Sequence, residues 1–336
     1  MASLNFVIAN EEQLSWLKRL RRQSFENKSH SGRLVVLGGQ SGMVGAVFLA
    51  GRTALFSGAG WVILGILAQN APCMDMLHPE LMCLSAQSQS EALAEQLRCA
   101  QTVAIGPGLG QNAHAAHWLK IAMRLDARLV LDADALNLLA TDAELLPLMH
   151  LRHNPFSTLM TPHPGEAARL LGVEPQDIQR NRLKSAQALA EKFHCMVVLK
   201  GEGTWCVAPK ALSLEPIQCQ AGNAGMASAG MGDALTGLIA ALSAQGVHHG
   251  LDLWQASVLG VELHARAADE LSALEFGAVD SNSSEDVLDS MSGLETLKTA
   301  PLNGLQASEL GPVIRRSIHL ALNPKALKRH QDSLVE

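Results

Sequence analysis

Six short apolar runs recur along the chain, and almost none alternates with polar residues. They are Leu34–Leu37, Trp61–Leu67, Thr102–Ile105, Leu129–Leu131, Thr158–Met160 and Cys195–Lys200. A strand without polar alternation is buried on both faces, so it belongs to a largely parallel sheet covered by helices on either side. Most of these runs end in a glycine, proline or acidic turn, and helical patterning follows. The special residues therefore fall just after strand C-termini, which in open α/β sheets is the ligand-binding edge.

The same reading sets the organisation of the chain. Asn10-Glu11-Glu12-Gln13 reads as an N-cap with Gln at N3, opening a helix to about Phe25. Further helices are expected over 43–57, 91–100 and 175–193, and from about Gly250 to Leu274. Residues 275–303 turn polar and lose periodicity, as in a mobile surface insertion. Patterning resumes over Leu305–Ile318, and the residues from Asn323 form a polar tail. The expected division is thus an N-terminal helical extension (1–27), one α/β domain (28–322) carrying the insertion, and a C-terminal tail (323–336).

Bulk properties exclude several classes. The 336 residues are 48% hydrophobic with a formal net charge of −6, so a large core is available and nucleic acid is not an expected partner. The basic cluster Lys18, Arg19, Arg21, Arg22 lies opposite Leu14, Leu17 and Leu20 and reads as a solvated helix face. The run Trp61–Ala68 is too short to span a membrane, and Met1–Asn10 lacks the features of a secretory leader. The 6 cysteines form no CxxC pair, which argues against zinc and for reduced thiols in a cytoplasmic protein.

The most informative motif is NAGMASAGMGDALTGLI over 223–239. Leu235, Leu238, Ile239 and Leu242 have helical spacing, so Gly230-Met231-Gly232-Asp233 opens a helix. Free N–H groups and the positive dipole end of a first turn attract phosphate, and glycine lets it approach. Asp233 would repel that phosphate. A carboxylate beside an anion hole instead suits a base that takes a substrate proton during phosphoryl transfer. The bland alternative is a glycine-rich loop with Asp233 as a helix cap.

Other constellations are weaker alone. GGQSGMVGA (38–46) is a strand–glycine–helix element but not GxGxxG, so a nicotinamide Rossmann site is poorly supported. GPGLG (106–110) is either a rigid turn or a ligand cradle. Asp132 and Asp134 either cap a helix or stand near a ligand or its metal. His163 is held stiffly between Pro162 and Pro164 near a helix start, and Glu166 either caps that helix or holds Mg²⁺ through water. Lys200-Gly201-Glu202-Gly203-Thr204 reads both as a hairpin turn and as a place for nucleotide phosphate or ribose, with Lys200 a point charge.

Taken in order, GGQSGMVGA, GPGLG, LDADALN, TPHPGE, VVLKGEGT and NAGMASAGMGD resemble the ADP/ATP-dependent NAD(P)H-hydrate dehydratases, a branch of the ribokinase-like kinases. The resemblance covers about Lys28 to Asp269 and resumes over Gly304–Ile318. It implies a three-layer α/β/α fold with a mostly parallel central sheet. It also implies repair of hydrated NADH and NADPH: ADP or ATP phosphorylates the ring hydroxyl, phosphate leaves, and the reduced cofactor returns. By motif, Ala46, Gly108, Gly110, His163 and Asp233 would contact the hydrated dinucleotide. Lys200, Gly201, Glu202, Gly203, Thr204, Gly230 and Gly232 would hold the nucleotide. Asp233 would be the catalytic base, and Mg²⁺ would sit near Glu166 and Asp132. A homo-oligomer, such as a tetramer, is also implied.

There are departures from the family pattern. Met231 stands where Ser or Thr is usual, Ala224 replaces a proline, and the 275–300 segment is atypical. No epimerase domain is expected, because only about 27 residues precede the match. Two other readings stay open: a kinase of a small alcohol, and a catalytically inactive nucleotide sensor.

Overall fold

The computed structural model describes residues 10–152, 157–277 and 303–323. Nine strands form one sheet in the order β3-β2-β1-β4-β5-β6-β7-β8-β9. They are β1 Arg33–Gly38, β2 Trp61–Ile66, β3 Met82–Ser85, β4 Thr102–Ile105, β5 Arg128–Leu131, β6 Thr158–Met160, β7 Met196–Leu199, β8 Thr204–Val207 and β9 Ile217–Cys219. Strands β1 to β7 pair in parallel, and β8 and β9 add an antiparallel edge.

The apolar runs behave as their composition demands. In β1, Leu34 and Val36 join one core while Val35 and Leu37 join the other. The first core packs under α1 Glu11–Arg19, α2 Val44–Phe56, α10 Met231–His249, α11 Leu253–Gly277 and α12 Ala307–Leu322. The second packs under α3 Ser90–Arg98, α4 Ala113–Met123, α5 Asp134–Thr141, α6 Leu145–His150, α7 Pro164–Leu171, α8 Pro175–Arg180 and α9 Arg182–Phe193. This is the three-layer α/β/α arrangement with a mostly parallel sheet. No helix among the described residues is long and apolar enough to cross a membrane.

Some elements differ from expectation for local reasons. α1 stops at Arg19, well before Phe25, and Trp16, Leu17 and Leu20 are buried in the core. The helix expected over 175–193 is broken at Asn181 (φ −139°, ψ 52°) into α8 and α9. Strands β3 and β9 were not expected; both are short, and β3 is a half-exposed edge. α11 runs on to Gly277, while 278–302 and the tail from 324 lie outside the described residues.

The chain reverses its strand order between β1 and β4, and the loops after these two strands interlock. The Gly39 N–H donates to the Pro107 carbonyl (3.0 Å) and the Gln40 N–H to that of Gly108 (2.6 Å). α10 crosses beneath the sheet against α2, closely enough that a Cβ on Gly237 would run into the Ala50 carbonyl. Gly237→Ala should therefore destabilise the fold by about 1–3 kcal/mol, although alanine favours helix. Urea unfolding tests this, and an unchanged midpoint would contradict the close α2–α10 contact.

Candidate active site

Four chain segments meet at the C-terminal edge of the sheet around a cleft of about 380 Å³. They are Asp132-Ala133 after β5, His163 to Glu166 after β6, Lys200-Gly201 after β7, and Met231 to Asp233 at the start of α10.

Asp132 is buried to 1% exposure and keeps its charge partners close. Its Oδ1 accepts from Lys200 Nζ (2.6 Å) and its Oδ2 from Thr236 Oγ1 (2.8 Å). Ala133 then turns the chain at φ 47°, a conformation that alanine rarely adopts, and leads directly into α5. Asp134, the first residue of α5, accepts from the Gly110 N–H (2.9 Å) and Gln111 Nε2 (3.0 Å). It thereby ties the GPGLG loop to this edge.

His163 is the N-cap of α7, in a capping box with Glu166. Its Nδ1 accepts from the N–H groups of Gly165 (3.0 Å) and Glu166 (3.3 Å). This bonding assigns the ring proton to Nε2, which lies 3.3 Å from Glu166 Oε1. Burial, and then the Lys200 charge, hold the imidazole below its ordinary pKa, so it is neutral at pH 7. Glu166 Oε2 accepts from the His163 N–H (2.8 Å). Burial pushes this carboxyl up to about 7 against the pull of Lys200.

The start of α10 completes the cleft. Gly230 (φ +86°) is its N-cap, and no side chain caps the first turn. Its N–H groups therefore face the cleft uncapped, as an anion site requires. Gly232 lets Lys200 draw near: a Cβ there would sit 3.1 Å from Nζ. The N-cap position is held by Gly230, and Asp233 is the third residue of the helix. Its carboxyl is raised to about 7, first by burial and next by the Asp132 charge, with Lys200 opposing. A half-buried carboxyl that titrates near neutrality beside free amides and an ammonium can accept a proton from an alcohol. Met231, in place of a hydroxyl residue, is buried to 6% exposure and packs into the core.

The remaining expected residues lie around this centre. Gly201 borders the cleft, while Glu202, Gly203 and Thr204 form the turn and strand start beyond it, so the hairpin reading of β7–β8 holds. Ala46, Gly108 and Gly110 do not line this cleft and lie at the interlocked loops: Gly108 presses on Met43 and Ala46, and Gly110 on Gln40. α2 connects the two regions, with its Leu49 against Gly230. Two residues were not anticipated. Thr236, one turn after Asp233, anchors Asp132. Arg182, at the break between α8 and α9, donates from NH2 to the carbonyls of Leu199 and Lys200, each at 3.2 Å. Among the described residues, no group of three or more His, Cys, Asp or Glu side chains is gathered to hold a metal.

The chain is similar to known proteins in both sequence and fold. The sequence profile of the NAD(P)H-hydrate dehydratase family matches residues 34–289. The chain is 42% identical over 264 residues to the bifunctional NAD(P)H-hydrate repair enzyme of Escherichia coli, covering 78% of this chain and 47% of that one. It thus spans about half the length of that curated relative. It is 37% identical over 249 residues to the ADP-dependent (S)-NAD(P)H-hydrate dehydratase of Neisseria meningitidis, covering 74% of this chain and 80% of that protein. Among solved structures, it is similar to the ADP/ATP-dependent NAD(P)H-hydrate dehydratase of Bacillus subtilis co-crystallised with ATP/Mg²⁺, with TM-score 0.67, 24% identity, and coverage of 95% and 100% of the two chains. A ribokinase-like superfamily protein of Enterococcus faecalis matches with TM-score 0.70 and 23% identity over 93% of this chain and 95% of that one. At these identities the structural likeness is one of fold. The family match and the fold together establish that this chain belongs to the NAD(P)H-hydrate dehydratase family.

Proposed function

We propose that the chain restores NADH and NADPH from their hydrated forms, with ADP or ATP as phosphate donor. The observation that carries this reading is the Asp233 carboxyl, poised near neutrality at an uncapped helix N-terminus with Lys200 alongside. Asp233 takes the hydroxyl proton as the ring oxygen attacks the terminal phosphorus, and AMP or ADP leaves. The first-turn amides of α10 and the Lys200 ammonium stabilise charge on the moving phosphoryl group. The phosphate ester then breaks at its C–O bond, a proton leaves the neighbouring ring carbon, and the ring double bond returns.

The nucleotide is assigned to Lys200, Gly201, Glu202, Gly203 and Thr204 with Gly230 and Gly232. The hydrated dinucleotide is assigned to Ala46, Gly108 and Gly110 near the interlocked loops, with His163 and Asp233 at the cleft. The neutral His163 serves this role as a fixed wall, because its Nδ1 is already bonded to the backbone as the cap of α7. Magnesium fits poorly as a resident ion. The Lys200 ammonium already stands 2.6 Å from Asp132 Oδ1 and 4.0 Å from Glu166 Oε2, where a cation would sit, and among the described residues no group of three or more His, Cys, Asp or Glu side chains is gathered to hold a metal. No step is therefore assigned to a protein-bound metal. The reading includes a homo-oligomer in the cytoplasm; the free thiols, with no disulfide among the described residues, support a reducing compartment.

Incubation of the protein with hydrated NADH and either ADP or ATP should restore the reduced-nicotinamide absorbance. No recovery with either nucleotide would reject the reading in favour of a small-alcohol kinase or an inactive sensor. Asp233→Asn should lower kcat by about 10²–10⁴-fold while nucleotide binding, followed by calorimetry, persists.

Activity should also follow protonation. The base works deprotonated, so kcat/KM should fall with unit slope as pH drops below about 7. Glu166 titrates in the same range, so Glu166→Gln separates the two, and the limb should persist in it.

Asp233 also predicts a stability effect. Its pKa rises from 3.8 to about 7 on folding, so between these values the folded chain binds the extra proton. Stability from this group is therefore lost as pH rises through that window. Asp233→Asn should melt at a higher temperature than the parent at pH 8, with the gain vanishing near pH 4. An equal melting temperature at both pH values would show that the carboxyl is not held off its ordinary value.

A further inference from the structure

Lys200 stands between two acidic side chains. Its Nζ lies 2.6 Å from Asp132 Oδ1 and 4.0 Å from Glu166 Oε2. Its side chain is 18% exposed, against 1% and 5% for those of Asp132 and Glu166. We propose that the Lys200 ammonium is the built-in cation of this site, filling the seat between Asp132 and Glu166 so that these carboxylates take up no divalent metal ion of their own.

The geometry carries this in three ways. First, the seat is built from both sides. Asp132 is fixed by Thr236 Oγ1 on its other oxygen (2.8 Å), so the carboxylate cannot swing away from the ammonium. Gly232 provides the room, since a Cβ there would stand 3.1 Å from Nζ and 3.6 Å from Asp132 Oδ2. Second, the residue type suits the position. A lysine ammonium is a compact point charge, whereas the broad fork of arginine needs more space. Third, the donor count is wrong for a metal while lysine is present. Mg²⁺ demands octahedral oxygen ligands, and here the Asp132 oxygens are bonded to Lys200 and Thr236. A second cation on this seat would also meet the ammonium at contact distance.

The position of the ammonium explains a further oddity. It stands at the N-terminal end of α10, where a helix dipole repels positive charge. Asp132 and Glu166 hold it there, and the Asp233 carboxyl adds to the pull. Together, ammonium and free amides leave a positive face towards the cleft, and an incoming nucleotide brings its own divalent ion on its phosphates. The inference rests on the surroundings of Lys200 and not on which alcohol is phosphorylated, so it can fail while the dehydratase reading stands, and the reverse.

The test is Mn²⁺ titrated into the full chain without nucleotide, followed by calorimetry and by the electron spin resonance of free Mn²⁺. The parent protein should show no saturable site at millimolar Mn²⁺. Lys200→Met, similar in length and uncharged, should gain one site, at least about tenfold tighter, because it leaves two uncompensated carboxylates. Adding Asp132→Asn to Lys200→Met should abolish it. A folded Lys200→Met protein that binds no Mn²⁺ would overturn the proposal. So would a parent protein that binds one Mn²⁺ and loses it on Asp132→Asn, a measurement that holds even if Lys200→Met does not fold. Should circular dichroism show Lys200→Met unfolded, Lys200→Gln takes its place with the same expectation.

Discussion

A charged carboxylate held away from water organises this protein. Asp132 is almost fully buried and still bonds an ammonium and a hydroxyl drawn from two distant parts of the chain. A buried charge without such partners costs several kcal/mol, so the strand end carrying Asp132, the strand end carrying Lys200 and the first turns of α10 are bound to one another. The C-terminal edge of the sheet is thus held together electrostatically, above strands that are held together by apolar packing.

That arrangement sets the chemistry next to it. Asp233 shares the cleft with Asp132 and Glu166, and these like charges, with that of Asp134 outside it, add to burial in keeping its proton bound towards neutrality. Lys200 alone would drive the same carboxyl down. The balance between them gives a base of useful strength near pH 7, where an ordinary aspartate would be too weak. Such poise is stored strain, which is why the same side chain works against the fold.

Much of this was legible in the sequence, and the reasons are physical. The parallel strands showed because each is apolar on both faces, as Leu34 and Val35 illustrate by entering different cores. Asp233 showed because a glycine pair and an acid at a helix start form a local pattern. β3 and β9 did not show, since short edge strands carry little apolar signal. Nor did the break at Asn181, which lies inside a run of good helix formers. Thr236 and Arg182 were hidden for another reason. Thr236 meets a partner 104 residues away, and no local pattern encodes such a bond. His163 was visible as a stiffly presented ring, but its engagement as a helix cap depends on which nitrogen faces the backbone, and that is a property of the folded chain.

Arg182 gives the turn after β7 a property of its own. Its guanidinium reaches the carbonyls of Leu199 and Lys200 and comes within 3.5 Å of that of Gly203, so one side chain spans the bend from both ends. The backbone there is shaped while the chain folds, before any visitor arrives. Ordering that would otherwise be charged against association is already complete. A guest meeting this bend encounters a mould, and its residence is governed by contacts made and not by loop freedom lost.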